Sequence, residues 1–180
     1  MKSLQGKKLI LRALEQDDLE ILYRWENDPE NWEVSQTLTP FSRKLLNSYL
    51  EHAHLDLFQI KQLRLVIELQ ESGSPIGLID IFDFDPFNLR AGLGVLIGEK
   101  SEREKGYARE ALEILLNYCF SILLLNQVYC NILESNKISQ NLFLHTGFSL
   151  SGTKKSWIKT SSGWEDEHFF QLLRQDWLSR

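Results

Sequence analysis

Residues 101–112 read SEREKGYAREAL, which places two cations and a glycine immediately ahead of an apolar stripe. A helix start carries backbone N–H groups with no intrahelical acceptor, together with the positive end of the helix dipole, so it attracts anions. Gly106 lets a ligand approach the backbone without a Cβ in the way, and Arg103 and Lys105 add positive charge suited to a polyphosphate. The same spacing suits a solvated turn that merely opens a helix. On these residues alone both readings stand. A second chemistry-bearing group is acidic: Asp80, Asp83 and Asp85 in the stretch IDIFDFD. Carboxylates of this kind can anchor an amine or remove its proton. Three apart, Asp80 and Asp83 point to opposite faces of a regular strand, so one faces a groove and the other faces helices or solvent.

These residues need a scaffold, and the chain supplies material for one. Its 180 residues, 43% hydrophobic and 25% charged, suit a single globular domain over residues 1–180. A net charge of −5 and a pI near 5.4 exclude a basic nucleic-acid face and favour cationic or neutral partners. Cys119 and Cys130 match no zinc spacing and make no disulfide framework, so they read as buried reduced thiols of a cytoplasmic protein. The N-terminus has no signal-peptide core, and the longest apolar run, ILLL at 122–125, is far too short to span a membrane.

Along the chain, residues 8–14 read as a strand and 15–28 as a helix ended by Pro29. PENWEVSQTLTPF follows as a loop, then residues 42–58 as a helix with Ser42 at its N-cap. LRLVIEL, PIGLIDIFDF and RAGLGVLI form an antiparallel meander, separated by QESGS and DPFN turns. GYAREALEILLNYCFSILLL then repeats apolar residues in steps of three and four, as a long buried helix does. Residues 127–133 are a strand, 136–147 a short helix closed by Gly147, and the tail a hairpin across TSSG. The predicted class is α/β.

In this setting REKGYA resembles the Arg/Gln-x-x-Gly-x-Gly/Ala signature of the GCN5-related N-acetyltransferases (GNAT). ESNKISQNLFLHTGF, residues 134–148, is similar to that family's second segment, Asn-x-x-(Ala/Ser)…Gly-Phe. PIGLIDIFDFDPFNLRAGLGVLI resembles the third and fourth strands of the branch holding the ribosomal-protein N-terminal and spermidine acetyltransferases. The resemblance implies a mixed central sheet with an antiparallel N-terminal meander, a splayed fourth strand and flanking helices. It implies acetyl-CoA as co-substrate, with no metal required. The backbone of Val95, Leu96 and Ile97 is then expected to pair with the pantetheine amides. The amides of Arg103, Glu104, Lys105, Gly106, Tyr107 and Ala108 are expected to hold the pyrophosphate. Asn136 is expected to bond the cofactor arm, with Ser139 and Asn141 near it and Phe143 packed against cofactor or core. The acceptor implied is a small amine or a peptide N-terminus, and a homo-oligomer is compatible with the resemblance.

The chain also departs from that pattern. Many members carry a tyrosine as general acid where this chain has Phe143, and a glutamate on the fourth strand where it has Gly92. Those two losses leave a non-catalytic CoA-binding module as the alternative function. Among the remaining acids, the resemblance points to Asp83 as base or amine anchor, with Asp80 and Glu33 as alternates. The paired glutamates that the spermidine enzymes carry before a proline are Leu38 and Thr39 here, with Glu30 and Glu33 upstream as substitutes. Trp32, Trp157 and Trp164 either line an acceptor pocket or fill the core.

Overall fold

The computed structural model describes residues 4–35, 37–52 and 57–179; the side chain of Glu33 lies outside the described residues. Strand β1 (Leu9–Ala13) leads through a short 3-10 turn into helix α1 (Leu19–Glu26), which turns Leu22 and Trp25 inward. Where the sequence predicts a loop, a second helix begins, α2 (Pro29–Ser35). Pro29 starts this helix rather than ending the previous one. At the first helical position its missing N–H is no loss and its φ is already set. Asp28 Oδ1 accepts the Glu30 amide at 3.1 Å, which completes the start. Helix α3 (Arg43–His52) follows, with Ser42 Oγ accepting the Leu45 amide at 3.1 Å as the expected cap, and then α4 (Leu57–Ile60). The part of the predicted 42–58 helix between α3 and α4 lies outside the described residues.

Strands β2 (Leu63–Leu69), β3 (Pro75–Asp85) and β4 (Arg90–Ile97) form the antiparallel meander, and β1 pairs with β2. Then come helix α5 (Tyr107–Ser121), strand β5 (Gln127–Leu133), helix α6 (Lys137–Thr146), the hairpin β6 (Ser149–Thr160) and β7 (Gly163–Leu173), and α7 (Arg174–Leu178). The 7-stranded sheet runs β1-β2-β3-β4-β5-β7-β6. The apolar repeat overstated α5 at its C-terminus. Leu124 takes a φ of 55°, so Leu125 swings into the core while Ile122 and Leu124 stay about half exposed. Among the described residues, no helix is long and apolar enough to cross a membrane.

The sheet separates two apolar layers. Leu112, Leu115, Cys119 and Phe120 of α5, with Phe143 of α6, pack on the face that carries Leu65, Ile67, Ile79, Ile81 and Leu93. Leu22 and Trp25 of α1 and Leu46 and Leu50 of α3 pack on the other face, against Val66 and Leu78. That is the period-two alternation of a sheet covered on both sides.

Among the described residues, only β4 and β5 pair in parallel, and only at Arg90↔Gln127, Ala91↔Val128 and Gly92↔Tyr129. Beyond Gly92 the two strands part. β5 continues along β7 as far as Leu133↔Glu167, while residues 93–97 of β4 keep β3 alone as neighbour. This is the expected splay of the fourth strand.

Gly92 sits opposite Phe82. A Cβ at Gly92 would lie 2.2 Å from the Phe82 ring, so the ring fills the space that a side chain at this position would need. Gly92→Ala is expected to destabilise the fold by about 1–3 kcal/mol through overpacking. Phe82→Ala in the same chain should remove most of that penalty. Denaturant unfolding of the double-mutant cycle checks this; additive losses would mean that the ring moves aside freely.

Candidate active site

The parting of β4 and β5 opens a cleft of about 490 Å³ through the sheet. On the face that carries α5 and α6 it is walled by Asn136, Ser139 and Phe143; on the opposite face by Glu26, Arg64, Asp80 and Phe82. Val95 and Leu96 border it along β4. One opening therefore joins the face expected to hold the cofactor to the opposite face of the sheet.

The turn before α5 has the geometry of an anion cradle. Glu104 and Gly106 both take positive φ, 62° and 83°, and among the described residues nothing beyond the chain neighbours lies within 4 Å of where a Gly106 Cβ would stand. The first intrahelical bond is from the Glu110 amide to the Gly106 carbonyl at 3.2 Å, so the amides of Tyr107, Ala108 and Arg109 precede it. The side-chain cations are placed otherwise than the sequence suggested. Arg103 gives its amide to the Lys100 carbonyl at 3.3 Å and its Nε to the Ile97 carbonyl at 3.1 Å. Its remaining nitrogens reach Glu30 at 3.4 Å and Asn31 at 3.5 Å, and Lys105 pairs with Glu102 at 3.0 Å. Arg103 thus braces the end of β4 against α2. Attraction for a pyrophosphate falls to the backbone amides and the open glycine. Tyr107 packs its ring against the main core, with the Lys8 ammonium 5.9 Å from the ring centre.

Asn136 caps α6, its Oδ1 accepting the Ser139 amide at 3.0 Å, and both residues border the cleft. Asn141 is exposed and does not border it; its carbonyl is bonded to His145 Nδ1 at 2.7 Å. Phe143 is 3% exposed, edge-on to Phe148 at 5.0 Å between centroids, and reaches the cleft wall. These features fit acetyl-CoA: free amides at a helix start for its diphosphate, an unpaired strand edge for its amides, and an apolar wall beside its arm.

Phe143→Tyr would place a phenolic hydroxyl where the sequence resemblance implies a general acid. We expect the variant to stay active and to gain up to ~10²-fold in kcat if the hydroxyl reaches the departing thiolate. Steady-state rates with a saturating amine check this. Complete loss of turnover with acetyl-CoA binding intact would mean that α6 presents a different edge to the cofactor.

On the acceptor side the acids are arranged differently from the sequence expectation. Asp80 lines the cleft and Asp83 does not. The register breaks between Phe82 and Asp85, Asp83 takes a φ of 49°, and its exposed carboxylate accepts the Tyr129 hydroxyl at 3.2 Å. Burial and the adjacent Asp83 charge push Tyr129 up to about 12, so it remains a donor at neutral pH. Asp85 is occupied by its turn, accepting the Phe87 and Asn88 amides at 3.1 and 2.9 Å.

Asp80 belongs to a bridged cluster. Arg64 Nε bonds Asp80 Oδ1 at 2.6 Å, Nη2 bonds Asp80 Oδ2 at 3.3 Å, and Nη1 bonds Glu26 Oε1 at 2.6 Å. Burial opposes the charge on Arg64, but Asp80 and Glu26 outweigh it and hold the guanidinium firmly ionised. Two carboxylates against one guanidinium leave one net negative charge at the cleft wall. Glu167, 5% exposed on β7, also borders the cleft, with Lys154 Nζ at 2.6 Å. Glu26, Arg64 and Glu167 escaped the sequence reading. Nothing in their spacing marks them, since they come from α1, β2 and β7 and meet only in the folded chain.

The tryptophans divide similarly. Trp157 and Trp164 are 57% and 66% exposed on the outer hairpin, and Trp32 gives its Nε1 to the Glu26 carbonyl at 2.8 Å. None of the three borders the cleft; Trp25 does, buried and with Nε1 donating to Glu99 at 3.1 Å. Cys119 and Cys130 are free and buried, as expected, and burial pushes both thiols up.

Residues 8–149 match the family model of the acetyltransferase (GNAT) domain, so the chain belongs to the GNAT acetyltransferases and uses acetyl-CoA as its acetyl donor. It is 28% identical to the uncharacterized N-acetyltransferase p20 of Bacillus licheniformis over 98% of this chain and 99% of that one. It is 24% identical to the spermidine N(1)-acetyltransferase of Vibrio cholerae over 97% of this chain and 98% of that one. A crystal structure of spermidine N-acetyltransferase from Vibrio cholerae in complex with CoA and spermine superposes with a TM-score of 0.87, at 24% identity, over 96% of this chain and 99% of that one. A dodecameric structure of the Vibrio cholerae enzyme superposes with a TM-score of 0.80 at 23% identity, covering 97% of this chain and 99% of that one.

Proposed function

We propose that this chain, acting as one domain, moves the acetyl group of acetyl-CoA to a primary amine of a small polycationic molecule by direct attack in the cleft. The observation that carries the reading is the cleft itself. The cofactor motifs lie on one face of the sheet, and on the other the Glu26–Arg64–Asp80 cluster faces the same opening with one unit of surplus negative charge. An amine entering as ammonium is attracted there and aligned beside the thioester.

Acetyl-CoA supplies an activated acyl carbon with a thiolate leaving group. The chain's residues hold the amine and the carbonyl in register and exclude water from the apolar wall made by Phe143 and Leu93. Asp80 and Glu26, both bonded to Arg64, serve as the amine anchor. The amine loses a proton to solvent before attack; its nitrogen bonds the acyl carbon and gives up a second proton to solvent as the carbon–sulfur bond breaks, and the thiolate takes a proton from solvent because Phe143 has none to give. A thiol pKa of about 8.5 makes that departure tolerable. The paired glutamates of the spermidine enzymes are missing before Pro40, and Glu30, the upstream substitute, is spent on Lys100 at 2.8 Å and Arg103 at 3.4 Å. A peptide N-terminus fits the same anchor and is the competing acceptor. The similarity to the spermidine N-acetyltransferase of Vibrio cholerae, whose structure holds CoA and spermine, favours the small polycation, and the dodecameric neighbour favours a homo-oligomer. Two buried free thiols suit a reducing cytoplasm.

The test is acetyl-CoA turnover with a panel of polyamines, simple alkylamines, peptides with free N-termini and aminoglycosides. Polyamines should give the highest kcat/KM. A peptide acceptor outperforming them, or no turnover with any amine, would overturn this reading.

A further inference from the structure

Next to the acceptor end of the cleft, three aromatic rings from distant parts of the chain meet on one face of the sheet. Phe82 of β3 lies opposite Gly92, Gly92 is in register with Tyr129 of β5, and Phe169 of β7, opposite Asn131, is two pairs further along on the same face. The Tyr129 and Phe169 rings stack with centroids 5.3 Å apart, and Phe82 stands edge-on to Tyr129 at 6.0 Å. All three are partly exposed, so this is an open aromatic surface and not core. Phe82 also lines the cleft, which makes the surface continuous with the acceptor side.

Asp83 borders this surface through its bond from the Tyr129 hydroxyl. Among the described residues Asp83 has no cationic partner, whereas Asp80 and Glu26 share Arg64, and Glu167 has Lys154. The nearby cation Arg90 pairs with Asp85 at 3.2 Å. A carboxylate without a cationic partner, beside partly exposed aromatic rings, is suited to an ammonium group, which gains from both the negative charge and the ring quadrupole.

We propose that Phe82, Tyr129, Phe169 and Asp83 form a second ammonium site, holding the non-reacting amine of a linear di- or polyamine while the reacting amine lies by Asp80. This rests on the proposed function and adds to it a reason why the acceptor should carry two cationic centres. Asp80 and Asp83 are three strand residues apart, on the order of 10 Å or less across the bulge. An aliphatic chain of several methylenes bridges that gap, and a monoamine leaves the outer site empty.

The experiment compares kcat/KM for α,ω-diamines with n-alkyl monoamines of matched length, in the wild-type protein, Asp83→Asn and Phe169→Leu. Asp83 is exposed with positive φ, which asparagine adopts readily, so the first variant should fold normally. The wild type should prefer diamines by roughly 10-fold or more, and each variant should erase most of that preference through KM rather than kcat, as expected for a lost cation–π or charge contact. A wild type that treats both series equally, or variants that keep the full diamine preference, would overturn the second site while leaving amine acetylation standing. Acetylation of neither series would remove the functional reading along with it.

Discussion

Gly106→Asp is expected to weaken acetyl-CoA binding by on the order of 100-fold while the fold survives. Gly106 is the N-cap of α5 at a φ of 83° and a ψ of 2°, with open space where its side chain would be. Aspartate is among the residues that visit this left-handed region, and a carboxylate at a helix N-terminus interacts well with the dipole. Stability should therefore change little. Binding should change a great deal, because the carboxylate would occupy the space that a diphosphate needs. Two like charges at 4 Å repel by about 4 kcal/mol at an effective dielectric of 20, which exceeds the roughly 2.7 kcal/mol that a 100-fold loss requires. Gly106→Asn, of the same size without the charge, should lose distinctly less. Calorimetric titration with CoA and thermal unfolding of both variants check this. Unchanged affinity in a folded Gly106→Asp protein would place the diphosphate elsewhere.

Asp80→Asn is the second large effect. The carboxylate accepts two bonds from Arg64, and its loss leaves Glu26 and Arg64 as a neutral pair, so the surplus negative charge at the cleft wall disappears. Hydrogen bonds to charged groups contribute about 1.5–3 kcal/mol, so kcat/KM for the amine should fall roughly 10- to 100-fold. The acetyl-CoA affinity should stay as it was, since Asp80 stands on the acceptor face. A modest loss of stability accompanies the change, because Arg64 loses a charged partner in a largely buried setting. The measurement is a pair of KM values from two-substrate kinetics, with the unfolding midpoint as a control. Wild-type kcat/KM in the variant would shift the anchor to Glu26 alone.

Much of the scaffold was legible because its causes are local. The three-and-four apolar spacing of α5, the Ser42 and Asn136 caps and the Gly147 stop each depend on residues within a few positions of one another. The two family motifs were legible for the same reason, since a glycine turn at a helix start binds anions through its own backbone. Where local cues conflict, the reading slipped. Proline breaks helices, which predicts a stop at Pro29, yet a proline after a capping acid starts a helix equally well. Likewise, Ile122 to Leu125 continue the apolar run of α5, and only the core's shape determines that Leu125 turns inward.

The acceptor side belongs to tertiary structure. Period two correctly separates Asp80 from Asp83 on a regular strand, but which of them faces the cleft depends on the helices that cover the sheet and on the bulge after Phe82. The ties of Arg103 to Glu30 and Asn31 and the cluster of Glu26, Arg64 and Asp80 join residues far apart in the chain, and the Phe82 ring fills the space at Gly92 from across a strand pair. By itself the sequence determined most of the elements and the family. The folded sheet alone decided which carboxylates meet the cleft, because side-chain partners across strands are set by register and packing, and neither is written in local spacing.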